Sequence, residues 1–597
     1  MKRYYFLISF CIFLFSQLVC SQTLVIDGKT YSVDTLSNFK VGPGTQYTAL
    51  RLKSSSRLDV FFLKVGAVYF AGTNGDFYST TGYVGLPIGG TMIEREIATT
   101  PNSWKVIAFD DINIPGIGVM GYSGNVKFSS ETWSIHHVNH LRAENQLVLY
   151  NQHNGKYTHT NAYGTEVLVQ LLEGQSWGVN KTIRLKIVKT EINKGNMAIP
   201  AGYAVLSGHG TAQTALNTLA VNDEIDLTLN MLLDGVASTY STLVGGESRA
   251  PMLKNGIVEQ VDIWNELHPR TGIGYSADKK TVIYCVIDGR GASAGVTTKQ
   301  LAQLMQSAGA YNAFNMDGGG SSCMYVKDFG PMNATSDGVE RAVANGIFAV
   351  SSAPADNVVA EIKAYNSNIS LPHYGVLMPK FIAYNQYGVL INKDLQGVVL
   401  SCSPEVGEIA ADGRFVASGN NGGLVTATYN NITTQFRVDL VTSAEIAFRL
   451  DSVLLDSKRD YAVQVQSVIG LNTMDVLPAA LNWMVNDPAI CTVENGVIKG
   501  LKNGKTFVVG SLGGFKDTIS VTVEIPISGR VIVDEFNTSD WTMDASAALN
   551  VNFNTENLPT SWSHGAAFNF VYASTRAPYI KLTRNFPFYA LPDTMKL

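Results

Sequence analysis

Residues 281–322 read TVIYCVIDGRGASAGVTTKQLAQLMQSAGAYNAFNMDGGGSS. The apolar run over 281–287 predicts a buried strand, and the apolar run over 313–316 predicts a second one. Between them, apolar residues recur at helical spacing, after threonines that can cap a helix and before a stopping Gly309. This strand–helix–strand order predicts an α+β domain built on a mixed sheet.

A glycine-rich turn follows the second of these strands. Asn315 and Asp317 point to the same side, because side chains alternate along a strand. Three consecutive glycines allow positive φ angles and close approach of the backbone to a ligand, whereas a simple turn needs only one. The Lys-Ser/Thr ending of a phosphate-binding P-loop is missing. We therefore predict a ligand site of another kind, formed with Gly318, Gly319, Gly320 and Ser321.

Four other polar clusters lie in the same part of the chain. Each follows or precedes a strand-like run, and each alone fits an ordinary turn or a surface ion pair. Their joint presence with the glycine-rich turn indicates one functional site. They are Asn74 with Asp76, Arg270, Asp288, and Asp337 with Arg341.

Together these residues resemble the phosphodiester glycosidase family, whose pattern runs N-G-x-F, R-T-x-I-G, D-G-x, N-x-D-G-G-G-S-S and S-D-x…R-x-V. The similarity covers about residues 40–350. Asp76 departs from the pattern, since many members have a small residue there. Asn139, Arg142 and residues 160–166 are similar to weaker family positions. The matching positions are Asn74, Gly75, Phe77, 270–271, 273–274, 288–289, Asn315, 317–322, 336–337, Arg341 and Val343.

The resemblance implies hydrolysis at the anomeric carbon of a sugar linked through phosphate, such as N-acetylglucosamine, with a phosphomonoester left behind. An oxocarbenium-like transition state needs a nearby carboxylate, and a second carboxyl group can act as acid or base. Asp317 and Asp288 are the predicted catalytic pair, with Glu166 and Asp76 behind them. The predicted substrate-binding residues are Asn74, Arg270, Asn315, Gly318, Gly319, Gly320, Ser321, Asp337 and Arg341.

The two arginines suit phosphate because a guanidinium group matches phosphate oxygens bidentately, and Asp337 can hold an arginine in place. Two alternatives stay open. One is an ordinary exo-glycosidase that needs no phosphate, and the other is a non-catalytic carbohydrate-binding or adhesion protein. The predicted partner is a glycan or a sugar-phosphodiester.

No cofactor is predicted, and the metal requirement stays open. Carboxylates could hold a divalent cation such as Ca²⁺, but the sequence has no DxDxDG loop. His136 and His140 would share one face of a strand while His137 takes the other, so these histidines predict no zinc site.

The composition excludes two broad classes of protein. The chain of 597 residues has 44 basic and 49 acidic residues and a net charge of −5, so no nucleic-acid partner is expected. An aromatic content of 10% excludes a disordered chain. The length predicts several domains.

Residues 1–21 predict a signal peptide, with a basic start, an apolar run and cleavage before Gln22. A membrane anchor is disfavoured because the apolar run is short, and lipidation at Cys20 fits poorly after Val19. The protein is thus expected to be exported to the periplasm, the cell surface or the medium, without a transmembrane span after cleavage. Of the four remaining cysteines, a Cys285–Cys323 disulfide is left open.

The predicted catalytic domain spans 22–352 and is followed by all-β domains. Residues 356–441 and 443–525 predict two sandwiches. The second resembles the bacterial immunoglobulin-like repeat, through a tryptophan strand in 481–488 and a hairpin in 493–501. We expect both to serve as spacers or as cell-surface or glycan contacts. Residues 527–597 predict a further β-rich segment that resembles an incomplete jelly-roll.

Overall fold

A computed structural model describes residues 23–42, 44–53, 57–65, 71–81, 83–237, 239–247, 252–259, 264–456, 458–469 and 472–525, with shorter stretches between 532 and 585. The predicted signal segment lies outside the described residues, as does much of the predicted jelly-roll segment. The chain divides into two compact units. Unit 1 contains Met1–Ile369, Pro379–Leu400 and Thr426–Arg437, and unit 2 contains Ser370–Met378, Ser401–Val425 and Val438–Leu597. The predicted domain boundaries themselves stay predictions.

Up to residue 349 the strands are β1 Thr23–Ile26, β2 Lys29–Gly42, β3 Thr45–Lys53, β4 Leu58–Val65, β5 Ala71–Asn74, β6 Thr91–Ile93, β7 Glu96–Thr99, β8 Lys105–Asp110, β9 Pro115–Phe128, β10 Glu131–Ile135, β11 His137–Val138, β12 Leu147–Tyr150, β13 Thr165–Leu171, β14 Lys181–Ile192, β15 Tyr203–Gly208, β16 Glu224–Leu233, β17 Val236–Ala237, β18 Tyr240–Gly245, β19 Leu253–Lys254, β20 Ile257–Val258, β21 Arg270–Tyr275, β22 Val282–Ile287, β23 Asn312–Asn315, β24 Met324–Val326, β25 Gly330–Pro331 and β26 Gly346–Ala349. The α-helices are α1 Thr211–Leu216 and α2 Thr298–Ser307, and short 3₁₀ turns cover Gln152–Asn154, Gly319–Ser321 and Pro478–Ala480.

The later strands are β27 Glu361–Ala364, β28 Asn368–Pro372, β29 Val376–Leu377, β30 Phe381–Tyr384, β31 Leu390–Asn392, β32 Val399–Ser401, β33 Glu408–Ile409, β34 Phe415–Val416, β35 Gly423–Tyr429, β36 Ile432–Val441, β37 Ile446–Phe448, β38 Ser452–Leu455, β39 Asp460–Ala462, β40 Val465–Ile469, β41 Asn472–Val476, β42 Asn482–Val485, β43 Cys491–Glu494, β44 Val497–Gly500, β45 Gly504–Leu512, β46 Phe515–Val523, β47 Thr542–Ala545, β48 Val551–Asn554, β49 Ala567–Phe570 and β50 Ile580–Thr583.

The predicted α+β class is wrong, because the described residues are nearly all β and contain two α-helices of six and ten residues. The predicted helix itself exists as α2, closed at its start by a capping box between Thr297 and Gln300. However, β21 lies between β22 and β23 and pairs antiparallel with each of them. The connection through α2 therefore skips one strand and creates no parallel neighbours, so the predicted mixed sheet is an antiparallel one.

A nine-stranded sheet positions the glycine-rich turn. Its order is β1-β2-β3-β4-β22-β21-β23-β19-β20, and all its neighbouring strands are antiparallel. Successive side chains of β22 point to opposite faces of the sheet, so they contribute to two different hydrophobic cores. Ile283, Cys285 and Ile287 pack with the apolar face of α2, whereas Tyr284 and Val286 pack on the opposite face of the sheet. Helix α2 thus covers one face of the nine-stranded sheet. Because β22 is buried on both faces, nearly all of its residues are apolar, as the run over 281–287 shows.

A second, thirteen-stranded sheet forms most of the remainder of unit 1. Its main order is β11-β12-β15-β13-β14-β16-β9-β8-β18-β6-β7, and its core is dominated by aliphatic side chains. A four-stranded sheet, β25-β24-β5-β26, carries the segment that leads to Asp76. These strands bring Asn74 next to Cys323 and Gly346, which are far away in the sequence.

Unit 2 contains small sheets around a separate apolar core. Three of them have the orders β37-β40-β41, β38-β46-β45-β42 and β39-β44-β43. Phe448 and Trp483 stack with ring centroids 5.5 Å apart within this core. The resemblance of this region to immunoglobulin-like repeats stays a prediction. Across the residues that the structure describes, we find no helix that is both long and apolar enough to cross a membrane.

Candidate functional site

Strand ends converge at one edge of the nine-stranded sheet. β21 runs antiparallel to both β22 and β23, so the start of β21 meets the ends of its two neighbours. Arg270 faces Ile287 across the first pair, and Gly272 faces Asn315 across the second. The backbone N–H of Asp317 then donates to the carbonyl of Gly75, 3.1 Å away. Four of the predicted clusters are therefore brought to the same edge.

The glycine-rich turn carries an arginine–carboxylate pair directly above it. Nε and Nη2 of Arg341 lie 2.8 and 2.7 Å from Oδ2 of Asp337. A Cβ atom on Gly320 would lie only 2.0 Å from Nη2 of Arg341, so the guanidinium group packs directly against the turn and a larger residue there would displace it. Gly319 has a φ of 63°, which also favours glycine. The Asp337–Arg341 pair therefore packs against the turn at Gly320. Asp337 holds the guanidinium group of Arg341 in place, as predicted from its residue type.

Asp317 is half-buried at the start of the turn. Burial raises the pKa of its carboxyl group, while the Ser321 hydroxyl, the positive charge of Arg341 and the Gly318 amide oppose the rise. Arg341 therefore acts electrostatically on Asp317 across the turn. A carboxylate and a guanidinium group are thus available to a ligand that lies over the glycines.

Asn74 is a structural clamp. Its amide nitrogen donates to the carbonyl of Asp317 at 2.7 Å, and its amide oxygen accepts from the Thr271 hydroxyl at 2.9 Å and the Cys323 N–H at 3.1 Å. These bonds fasten β5, β21 and the end of the glycine-rich turn to one another. The side chain predicted to bind substrate is therefore occupied by the protein itself.

Asp76 is fully buried beside the turn. Its Oδ2 accepts from the N–H of Gly89 at 2.6 Å, and its Oδ1 has no hydrogen-bond partner among the described residues. Burial raises the pKa of Asp76 well above its usual range, and the negative charge of Asp317 adds to the rise. Burial and the neighbouring Asp317 carboxyl group thus both favour the protonated form of Asp76.

Buried polar atoms without partners concentrate near the turn. Both amide atoms of Asn315, which is 1% exposed, make no hydrogen bond within the described part of the chain. The same holds for the hydroxyls of Ser322 and Ser336. Unpaired buried polar groups are costly and uncommon in folded proteins. These atoms are groups that a polar ligand would satisfy.

Asp288 anchors the segment that carries Asp337 and Arg341. Its two carboxylate oxygens accept from the side-chain amide of Asn333 at 3.0 Å and from the N–H of Ala334 at 3.1 Å. Burial raises the pKa of Asp288 to about 6, while these hydrogen bonds limit the rise. Both oxygens of Asp288, one of the predicted catalytic pair, are thus engaged in holding this segment, and its catalytic role stays a prediction.

We expect the stability contribution of Asp288 to depend on pH. Its folded-state pKa is raised to about 6 from 3.8, so this group stabilises the fold below about pH 4 and the benefit is lost as the pH rises through 6. Relative to Asp288→Asn, the free energy of unfolding of the unmodified chain should fall by about 2.4 kcal/mol between pH 4 and 7. Urea unfolding at four pH values measures this difference. Parallel pH profiles of the two proteins would contradict the assignment.

Arg270 is also engaged by the protein. The side chain is 7% exposed, and its Nε and Nη2 donate to the carbonyls of Val296 and Glu266 at 3.1 and 2.9 Å. These bonds fix the approach to β21 beneath Gly318. Of the two arginines predicted to bind phosphate, Arg341 is the more open, with 38% of its side chain exposed.

Glu166 lies in β13 of the thirteen-stranded sheet, and its hydrogen-bond partners lie in the neighbouring strand β15 and in two loops beside the sheet. Its oxygens accept from the hydroxyls of Thr160 and Ser207 and from the N–H of Met197, each at 2.9 Å. Nη1 of Arg142 donates to the same Ser207 hydroxyl at 2.7 Å. Within the described residues, no hydrogen bond or ion pair joins Glu166 to Asp317. The structure therefore does not connect this predicted catalytic residue to the turn.

Asn345 contributes to the candidate site, although its sequence context did not predict this role. Its Oδ1 accepts from the N–H of Asp76 at 2.8 Å, and its Nδ2 donates to the Thr91 hydroxyl at 2.7 Å. Its carbonyl also accepts from the N–H of Gly75. The only sequence signal is an Asn four residues after Arg341. Its side chain fixes the backbone that presents Asp76.

The cysteines and histidines of the described residues form neither a disulfide nor a metal site. Cys285 and Cys323 are free thiols, so the disulfide left open by the sequence does not form. His137 and His140 stack at 4.5 Å, and burial lowers the pKa of His137 to about 4. Within the described residues, no three His, Cys, Asp or Glu side chains are grouped to hold a metal ion.

The site thus presents a carboxylate and a guanidinium group over one turn, which are the groups a glycosidase needs for an anionic sugar substrate. Residues 173–350 match the model of the phosphodiester glycosidase family, which confirms the resemblance over that part of the chain. The family supports a glycosidase-type hydrolase function.

Individual relatives are more distant or match short segments. The SPbeta prophage-derived uncharacterized protein YomE of Bacillus subtilis is 42% identical over 88 residues, which cover 14% of this chain and 13% of that protein. A hypothetical protein from Synechocystis gives a TM-score of 0.39 at 15% identity, over 51% of this chain and 62% of that one. The catalytic domain of zebrafish N-acetylglucosamine-1-phosphodiester α-N-acetylglucosaminidase gives 0.20 at 12% identity, over 55% and 86%. Scores this low support no inference.

Proposed function

We propose that unit 1 hydrolyses the anomeric C–O bond of a sugar-1-phosphodiester. Water adds to the sugar, which leaves as the free sugar, and the phosphate leaves as a phosphomonoester. The observation that carries the proposal is the placement of Asp317 and Arg341 over the same glycine-rich turn. One group suits a cationic sugar and the other suits an anionic leaving group. The family match supports the same reaction class.

Asp317 is the group proposed to face the anomeric carbon. Its carboxylate stabilises the positive charge that develops on the sugar ring as the C–O bond breaks. Asp76 is buried beside it and acts as a positioning residue, whose carboxyl pKa is raised by burial and by the charge of Asp317. Asn315 lies on the same strand end, and its unpaired amide is available to a sugar hydroxyl or amide.

Arg341 is the group proposed to bind the phosphate. Asp337 engages its Nε and Nη2, which fixes the guanidinium plane, and Nη1 makes no hydrogen bond within the described residues. The phosphomonoester leaves as a stable anion, so the leaving group needs a cation more than it needs a proton donor. The proposed reaction therefore uses one carboxylate and one guanidinium group at the turn.

The proposal is tested by offering the full chain UDP-N-acetylglucosamine, other sugar-1-phosphodiesters and the matching aryl glycosides. NMR follows the released sugar, and Asp317→Asn is the control. Release from the phosphodiesters that is lost in the variant supports the proposal. Release from the aryl glycosides alone would instead indicate an ordinary exo-glycosidase, and binding without release would indicate a carbohydrate-binding protein.

The substitution Glu166→Gln tests whether Glu166 stabilises the fold without taking part in catalysis at the glycine-rich turn. We expect it to lower the stability of unit 1 by about 3 kcal/mol, because it removes the buried negative charge beside Arg142. The kcat for phosphodiester hydrolysis should stay within about twofold. Thermal unfolding and steady-state kinetics measure the two effects, with Glu191→Gln, which removes the half-buried carboxylate of the Lys189–Glu191 ion pair, as the matched control. A large loss of kcat in a stable Glu166→Gln protein would return Glu166 to the catalytic set.

A further inference from the structure

The loop of residues 151–164, here called the tyrosine loop, displays aromatic side chains to solvent. Tyr157 and Tyr163 are 44% and 69% exposed. The ring of His159 lies edge-on to Tyr157, with centroids 6.4 Å apart, and His209 stacks on Tyr163 at 6.1 Å. Each tyrosine therefore has an imidazole ring beside it and an open surface towards solvent.

Buried amides hold the first end of the tyrosine loop. The side-chain amide of Asn139 donates to Oδ1 of Asn151 at 2.6 Å, and Oδ1 of Asn139 accepts from the backbone N–H of Asn151 at 2.9 Å. Nδ2 of Asn151 donates to the carbonyl of Ile97 at 2.9 Å. Both asparagines are at least nine-tenths buried. The start of the loop is thus fixed from inside the protein.

A buried ionic network holds the second end. Nη2 of Arg142 donates to Oδ1 of Asn161 at 2.8 Å and to the carbonyl of Tyr163, while Glu166 accepts from Thr160 at 2.9 Å. Arg142 is 7% exposed and Glu166 is completely buried. The residues that resembled weaker family positions therefore fix this loop, and they account for its shape without any part in the glycine-rich turn.

The tyrosine loop combines exposed aromatic rings with a backbone that is already ordered, and both properties favour the binding of a ligand. Ordering the loop costs little at the time of binding, because buried hydrogen bonds have already fixed it. Tyrosine offers a large apolar face with a polar tip at low entropic cost. Lys156 is the only residue of the tyrosine loop with a full charge at neutral pH, so the surface does not suit a highly charged partner. Aromatic faces beside asparagine, threonine and histidine groups match the C–H faces and hydroxyls of neutral sugars.

The tyrosine loop is connected to the candidate site. The Tyr83 hydroxyl donates to Oδ1 of Asn154 at 2.6 Å. Tyr83 belongs to the segment that begins directly after Asp76 and folds back on itself through the bond from the Ile88 N–H to the carbonyl of Phe77. Tyr78 of that segment lies close enough to Arg341 to contribute to the raised pKa of its guanidinium group, whose main cause is the hydrogen bond to Asp337. This segment thus joins Asp76, beside the turn, to Asn154 of the tyrosine loop.

We propose that Tyr157 and Tyr163 bind a neutral glycan chain that continues from the sugar or the aglycone at the glycine-rich turn. Binding on the tyrosine loop does not require hydrolysis, and only the statement that the chain continues into the turn rests on the proposed function. The stacking faces give affinity for the glycan, and the hydroxyl-bearing residues around them give it a preferred orientation.

The test uses the full chain carrying Asp317→Asn, so that no probe is consumed. Isothermal titration calorimetry measures the binding of four hexasaccharides, made of β-1,4-linked N-acetylglucosamine, β-1,4-linked glucose, β-1,3-linked glucose and α-1,4-linked glucose. We expect at least one to bind, and we expect Tyr157→Ala with Tyr163→Ala to weaken that binding about tenfold or more. Tyr387→Ala, which removes a tyrosine that is 41% exposed outside the loop, is the matched control.

Thermal unfolding verifies that the double variant is folded, which is expected because both side chains are exposed. The proposal is overturned if no hexasaccharide binds, if the double variant binds as tightly as its parent, or if Tyr387→Ala causes the same loss. Because the parent is an inactive variant, these outcomes do not depend on whether the chain hydrolyses phosphodiesters.

Discussion

Asp317→Asn should lower the kcat for sugar-1-phosphodiester hydrolysis by about 10³-fold or more. The substitution keeps the shape of the side chain and removes the negative charge that stabilises the developing oxocarbenium ion. It also leaves the carbonyl of residue 317 in place for the Asn74 clamp, so the turn should stay folded. Steady-state kinetics with released sugar as the readout measures the loss.

The matched control for this change is Asp412→Asn, since Asp412 is an exposed carboxylate that pairs with Arg414. Its kcat should be unchanged. A folded Asp317→Asn protein with at least a tenth of the original kcat would exclude Asp317 from the chemistry and would leave the turn as a binding element only.

Arg341→Ala should lower kcat/KM for phosphodiester substrates by about 10²-fold to 10³-fold. The guanidinium group is expected to stabilise the departing phosphate, and the removal of one such charged donor typically has an effect of this size. For an aryl glycoside of the same sugar the loss should be less than about fivefold, since its leaving group carries no phosphate. The ratio of the two losses is the diagnostic quantity.

Arg414→Ala provides the matched control, because Arg414 and Asp412 form an exposed arginine–aspartate pair whose Nε–Oδ2 distance is 2.6 Å. It should change neither rate. Equal losses for the two substrate types in Arg341→Ala would show that Arg341 supports the turn without recognising phosphate, and the ordinary exo-glycosidase would then be the better interpretation.

Local features of the site could be predicted from the sequence. The glycine-rich turn, the helix α2 and the pairing of Asp337 with Arg341 all depend on residues close together in the chain. The resemblance to the phosphodiester glycosidase family rested on the same local motifs. These features were identified because residue type and spacing were sufficient to define them.

Features that depend on strand pairing could not be predicted. The insertion of β21 between β22 and β23 made the sheet antiparallel, and nothing in the 281–322 segment specifies that order. Asn345 reaches the backbone of Asp76 across 269 positions of sequence. Glu166 looked like a candidate acid by residue type, but its sheet places its hydrogen-bond partners away from the turn. Long-range pairing decides all three cases.

The most direct test of the central claim is hydrolysis of a sugar-1-phosphodiester in water enriched in ¹⁸O, followed by mass spectrometry of the phosphomonoester product. Cleavage of the anomeric C–O bond leaves the original bridging oxygen on phosphorus, so we predict a phosphomonoester without label. Incorporation of ¹⁸O into the phosphomonoester would show that water attacks phosphorus, and the chain would then be a phosphodiesterase rather than a glycosidase.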